Sequence, residues 1–176
     1  MKILAHVTLF VAILTCTAPV YAKTHASSSA EDRQRFVNVT ENLERTPLNP
    51  ALTQDRQWAL RWLVEAPDVS VSACLTPFAK LPESYAHSSE IIVQYMLAMA
   101  AFTIRHPEQS TDAEAQQLAG VESALNMYQS ILRAQPEEKS PALDNILNTR
   151  DKGELKNFIH TAYAECSKNE GKRASL

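Results

Sequence analysis

Three glycines in 176 residues leave this chain little means of building a sheet. Tight hairpins need residues that accept a positive φ, and glycine is the usual one. Gly120, Gly153 and Gly171 are too widely spaced to turn a series of strands. Nine prolines punctuate the chain instead. Between them, apolar residues recur every three or four positions, the helical period. Only Val69-Ser70-Val71-Ser72-Ala73 alternates as a strand would. The expectation is an all-α, single-domain bundle of five to six helices.

The caps and breakers place those helices. Ser28 followed by Glu31 fits a capping box and opens a first helix over about 29–45, with Phe36, Val39 and Leu43 on one stripe. Asn49-Pro50 supplies an N-cap and a first-turn proline for a second helix, about 50–65. Pro67, Pro77 and Pro82 mark 68–86 as loop with one short extended or helical piece. A third helix, about 89–105, is apolar almost all round, as befits the middle of a bundle or an oligomer interface. Thr111-Asp112 starts a fourth that reaches about 135, and Ser140-Pro141 starts a short fifth. Asp151 is expected to cap the last helix, in which Leu155, Phe158, Ile159, Ala162, Tyr163 and Cys166 recur at helical offsets and put Cys166 on the buried face.

The N-terminus reads as an export signal. Lys2 precedes an apolar run from Ile3 to Leu14, and Val20-Tyr21-Ala22 offers small residues at a cleavage site. That run is about 12 residues, short of the roughly 20 that span a bilayer. The chain thus divides into a signal peptide (1–22), a flexible leader (23–28), a helical domain (29–167) and a polar tail (168–176). The expected location is the periplasm or the medium, with no membrane span in the mature chain. A formal charge of −3 favours solubility and exerts no strong pull on nucleic acid.

Cleavage removes Cys16 and leaves Cys74 and Cys166. In an oxidising compartment an even pair is most simply a disulfide; the other reading is two separate buried thiols. No C-x-x-C spacing suggests redox catalysis, and neither cysteine has a ligand-spaced partner for a metal.

No catalytic motif is visible. His25, His87, His106 and His160 show no metal-ligand spacing, and the chain has no nucleophile elbow or phosphate-binding loop. The Glu31/Asp32 and Glu137/Glu138 pairs read as solvated helix starts that complement the helix dipole. No cofactor is expected. The most suggestive cluster is Arg56, Trp58, Arg61, Trp62 and Glu65. Trp58 and Trp62 are four apart and share a helix face, as do Arg61 and Glu65. The face can present indoles beside guanidinium groups to a partner, or it can bury both indoles and leave the charges outside.

Ala124, Tyr128 and Pro136 resemble the second half of a tetratricopeptide repeat, whose Trp-Leu-Gly-Tyr half is missing. More broadly, PLNPALTQDRQWALRWLVEAPDVSV, QQLAGVESALNMYQSIL and LDNILNTRDKGELKNFI, with the signal peptide, resemble a group of small uncharacterised exported bacterial helical proteins. That resemblance implies export and one helical domain, and it adds no catalytic residue. The expected role is an exported helical binding or structural module whose partner is another protein or a second copy. The alternatives are an enzyme of unrecognised type and a homo-oligomeric structural protein.

Overall fold

The structure is a computed structural model that describes residues 27–173, with side chains through Lys168. The signal peptide, the leader up to residue 26 and the last residues of the tail lie outside it. Among the described residues the chain is all-helical, with no strand. There are six α-helices, joined by short links except for the long connection 66–87: α1 (Ala30–Arg45), α2 (Thr53–Glu65), α3 (Ser88–Arg105), α4 (Ala113–Ala134), α5 (Pro141–Asp151) and α6 (Leu155–Arg173). No described helix is long and apolar enough to cross a membrane.

The helix starts follow the sequence closely, with two shifts. Ser29, not Ser28, caps α1: its Oγ accepts from the Asp32 N–H at 3.0 Å and donates to the Asp32 carboxylate at 2.8 Å. Ser28 is committed elsewhere, because its N–H donates to Asp68 and its Oγ accepts from Arg33 Nε at 2.7 Å. Asn49 does cap, accepting from the Ala51 N–H, but the first turn it opens is a 3-10 turn over Pro50–Leu52. Asp112 caps α4 and Ser140 caps α5, as expected.

Asp151 does not cap the last helix; it is the final residue of α5. The chain leaves α5 through Gly153 at φ 76°, where the Gly153 N–H donates to Arg150 O and the Glu154 N–H to Thr149 O. That paired arrangement closes a helix end and favours glycine at the left-handed position. α6 then runs on to Arg173, into the segment read as a polar tail.

α3 occupies the centre, packed against α1, α2 and α4. Ile91, Tyr95, Leu97, Met99 and Ala100 on it are fully buried. α4 folds back along it at very close range. A Cβ built on Gly120 would stand 2.6 Å from Tyr95 Cδ2 and 2.8 Å from the Tyr95 carbonyl oxygen. Glycine is therefore required there for backbone approach. Ile92, Val93 and Met96 on the same helix are only partly buried.

The ambiguous stretch after α2 contains no strand. Val69 is buried and Val71 partly so, and a 3-10 turn forms at Thr76–Phe78. Residues 68–86 lie as a strap across the bundle, and their 3-10 turn packs on α5 and α6.

Candidate functional site

Proline and the lack of regular pairing leave the strap's backbone polar groups without a ladder, so side chains must satisfy them. Tyr95, central in α3, is the main one. Its hydroxyl accepts from the Cys74 N–H at 3.0 Å and faces two acceptors, the Cys74 carbonyl at 2.9 Å and Gln117 Oε1. Gln117 Nε2 in turn donates to the Ser72 carbonyl at 2.5 Å. Burial raises the Tyr95 phenol to about 12, against partial relief from its hydrogen bonds to Cys74 and Gln117.

Cys74 also closes on Cys166. The two sulfurs stand at bonding distance with Cα atoms 6.0 Å apart, joining residues separated by 92 positions. Thr76 Oγ1 lies 3.1 Å from Cys166 Sγ, and the Cys74 side chain packs against the Ala162 carbonyl. The strap is thus tied to α3 and α4 by hydrogen bonds and to α6 covalently.

Between the strap and the α5–α6 pair runs a cleft of about 340 Å³. Phe78 and Leu81 of the strap form one wall; Ile146 of α5 and Phe158 of α6 form the other. A second depression of about 500 Å³ lies between the start of α4 and α6. Its acidic residues already have roles: Asp112 caps α4, and Glu114 pairs with His160 at 2.9 Å. We therefore take the cleft beside the disulfide as the better candidate.

The structure brings Trp58 and Trp62 together, with ring centroids 6.3 Å apart. Both indoles pack against the core, Trp62 at 4.6 Å from Phe36. The cation over Trp58 is Arg35 of α1, 3.9 Å from the ring centroid, rather than Arg56 or Arg61. Arg56 donates to the Pro47 carbonyl at 3.0 Å. Arg61 and Glu65 are exposed and, among the described residues, form no ion pair with each other. Their order explains this, since a helical pair at this spacing favours the carboxylate on the N-terminal side.

The histidines serve local structure. His87 precedes α3 and meets Gln135 Oε1 at 3.2 Å, and His106 ends α3 with its ring 4.7 Å from Phe102. His25 lies outside the described residues. A buried polar chain crosses α1, α3 and α4: Gln94 donates to the Thr40 carbonyl and to Ser123, and Ser123 donates to Glu44. Among the described residues no group of three or more His, Cys, Asp or Glu side chains is placed to hold a metal.

Of the residues that shape the cleft and strap, Tyr95, Gln117 and Phe78 were not singled out as site residues from the sequence, and Phe158 was read only as part of the apolar face of the last helix. A signal was available for Gln117: a polar residue on the apolar side of a helix needs a buried partner. Fold and site together define an all-α bundle with a disulfide-tied strap. Comparison with known protein families, curated proteins and solved structures found no match to this chain.

Proposed function

We propose that the protein is an exported helical binding module, released by cleavage after Ala22 into the periplasm or the medium. The observation that carries this reading is the pairing of Cys74 with Cys166. Disulfides of this kind persist in oxidising compartments, and the composition of residues 1–22 agrees with export. The binding part of the reading rests on a well-filled helical core beside an apolar cleft, a site suited to holding a ligand.

The test is to express the full chain in a bacterial host and recover it from the exported fraction. The expected product begins at Lys23, and its mass rises by two hydrogen atoms on reduction. Cross-linking in that host then reads whether the module works with a protein partner. Unprocessed protein in the cytosol with free thiols overturns the reading.

A further inference from the structure

The two ends of the disulfide differ in access and in support. Cys74 is 4% exposed, whereas Cys166 is only partly buried. Cys74 is gripped through its backbone, because the Tyr95 hydroxyl accepts from its N–H at 3.0 Å and lies 2.9 Å from its carbonyl oxygen. Cys166 stands beyond Ala162, the last buried residue of α6 among the side chains described through Lys168. Its sulfur meets the Thr76 hydroxyl at 3.1 Å.

A thiolate that attacks a disulfide must reach one sulfur and expel the other, so access and leaving group both set the rate. Here they oppose each other. Attack on Cys74 would expel Cys166, the better leaving thiolate, since solvent and the Thr76 O–H stabilise its charge. Attack on Cys166 expels Cys74, whose sulfur lies 3.6 Å from the Ala162 carbonyl oxygen, a group that accepts from S–H and repels S⁻. Access decides between them. A poorer leaving group slows the step by degrees, whereas a buried sulfur admits no nucleophile until the strap opens locally.

We propose that Cys166 is the sulfur at which a thiol partner enters the bridge, and that Cys74, held within reach by Tyr95, is the resolving thiol that reseals it. On entry the partner's thiolate bonds to Cys166 Sγ and the bond to Cys74 breaks. Cys74 departs with the electron pair and takes a proton from water. Resealing reverses this: Cys74 gives up the proton, attacks Cys166 Sγ and expels the partner's thiolate. A monothiol is thus turned away. A dithiol completes the reduction, because its second thiolate attacks its own sulfur in the mixed disulfide. That step expels Cys166 beside the Thr76 hydroxyl, closes the partner's own disulfide and leaves two electrons on the protein. The partner class is therefore a dithiol reductant. Thr76 and Ala162 line the cleft and touch the bridge, so reduction uncouples the cleft's two walls. The inference goes beyond the binding-module reading and rests on the disulfide alone.

The test takes the processed chain, folded and oxidised in vitro, through a short incubation with reduced glutathione, acid quench and peptide mapping of the mixed disulfide. Adduct on Cys166 should exceed adduct on Cys74 by about ten-fold or more, because attack on the buried sulfur waits for local opening. In denaturant both sulfurs are open, and the preference should fall to within about three-fold. The folded-state adduct should be small but measurable, and dithiothreitol should open the bridge at thiol concentrations where glutathione leaves it closed. Tyr95→Phe should raise the folded-state adduct several-fold below its melting point. Tyr128→Phe, whose lost hydroxyl strands the Ser140 N–H instead, should leave the adduct at the parent level. Adduct chiefly on Cys74, equal labelling in the folded chain, or no adduct at all overturns the entry site. Equal rises in the two tyrosine variants, or glutathione opening the bridge as readily as dithiothreitol, overturn the resealing role. The chain is oxidised in vitro, so a failure here leaves the export reading standing.

Discussion

The α1–α3–α4 core and the 68–86 strap reach order by opposite means. The core is continuous apolar packing: Phe36, Leu43, Ile91, Leu97, Leu125 and Ile131 are buried on adjoining helix faces. Its order follows from area removed from water, which is non-directional and spread over many contacts. The strap buries little beyond Val69, Cys74, Pro77 and Phe78, and has no repeating backbone pattern. It is held at a few points, each a specific bond. Diffuse cohesion tolerates small losses, whereas point attachment fails locally and completely.

Removing the covalent point should have the largest effect. A bridge between residues 92 positions apart closes a loop worth about 4–5 kcal/mol in the chain-entropy picture, before native strain is subtracted. The double variant Cys74→Ser, Cys166→Ser should therefore melt well below the oxidised parent. Hydrogen exchange should locate the first loss at 71–81 and around Cys166, with α3 and α4 still protected below the melting point. If all six helices lose protection together, the strap is part of the core and the contrast fails.

Next comes a strike at the core's tightest point. Gly120→Ala puts a methyl group against the Tyr95 backbone carbonyl, which cannot rotate away as a side-chain tip can. Overpacking of this kind costs about 1–3 kcal/mol, less any gain in helix propensity. Denaturant titration should show a lower midpoint with unchanged slope. A midpoint at or above the parent's would mean that α3 and α4 separate easily, contrary to a tightly packed centre.

Tyr95 joins the two regions, so its hydroxyl sharpens the comparison. Tyr95→Phe keeps the ring against Phe78 (centroids 5.2 Å apart) and removes the group that Cys74 and Gln117 share. Leaving buried partners unmatched costs about 1–3 kcal/mol, and exchange should rise at Cys74 more than in α3. Alkaline pH probes the same bond. Burial raises Tyr95 to about 12, and it likewise raises Tyr128, also to about 12, assisted by the Asp144 carboxylate. A raised phenol pKa means the fold favours the neutral form. The stability it brings is present in full below the ordinary value of 10.0 and is lost as pH climbs from there towards about 12. Tyrosinate absorbance and helical circular dichroism should change together in that window. Ionisation of these tyrosines near 10 with helicity intact would contradict it.

The contrast also explains what the sequence made legible. Helical period, scarce glycine and the caps at Asn49, Asp112 and Ser140 are local signals, and they led to an all-α bundle of five to six helices with most starts within about three residues, although α6 runs on to Arg173, beyond the expected end near 167. The capping box slipped by one because Ser28 is engaged by Asp68, forty positions away, which no local rule sees. Asp68 itself has its carboxyl held below the usual range: partial burial pushes it up, but hydrogen bonds from Ser28 and Arg33 outweigh that. The Cys74–Cys166 pairing was readable because arithmetic left two cysteines. The strap was not, since its ties to Tyr95 and Gln117 are tertiary contacts from α3 and α4. The tryptophans were read correctly as sharing a face, but the cation over Trp58 comes from α1, and an i, i+4 rule within α2 could not supply Arg35.

The smallest predicted effect separates a polar group that holds structure from one that does not. Gln94 is completely buried, and its Nε2 donates to Thr40 O at 3.0 Å and Ser123 Oγ at 2.8 Å. Its Oε1 has no partner among the described residues. Gln94→Met keeps the length and shape of the side chain and removes that unmatched acceptor. The two groups it abandons are not stranded. Thr40 O lies inside α1, where the helix ladder supplies a bond from four residues on, and Ser123 still donates to Glu44. Deleting one unmatched acceptor and two supplementary bonds should nearly cancel, leaving stability within about 1 kcal/mol of the parent, on either side. Tyr95→Phe deletes a polar group of similar burial, yet it strands a backbone that has no ladder. If Gln94→Met costs as much as Tyr95→Phe, the polar chain across α1, α3 and α4 is itself a point attachment, and the core depends on specific bonds as the strap does.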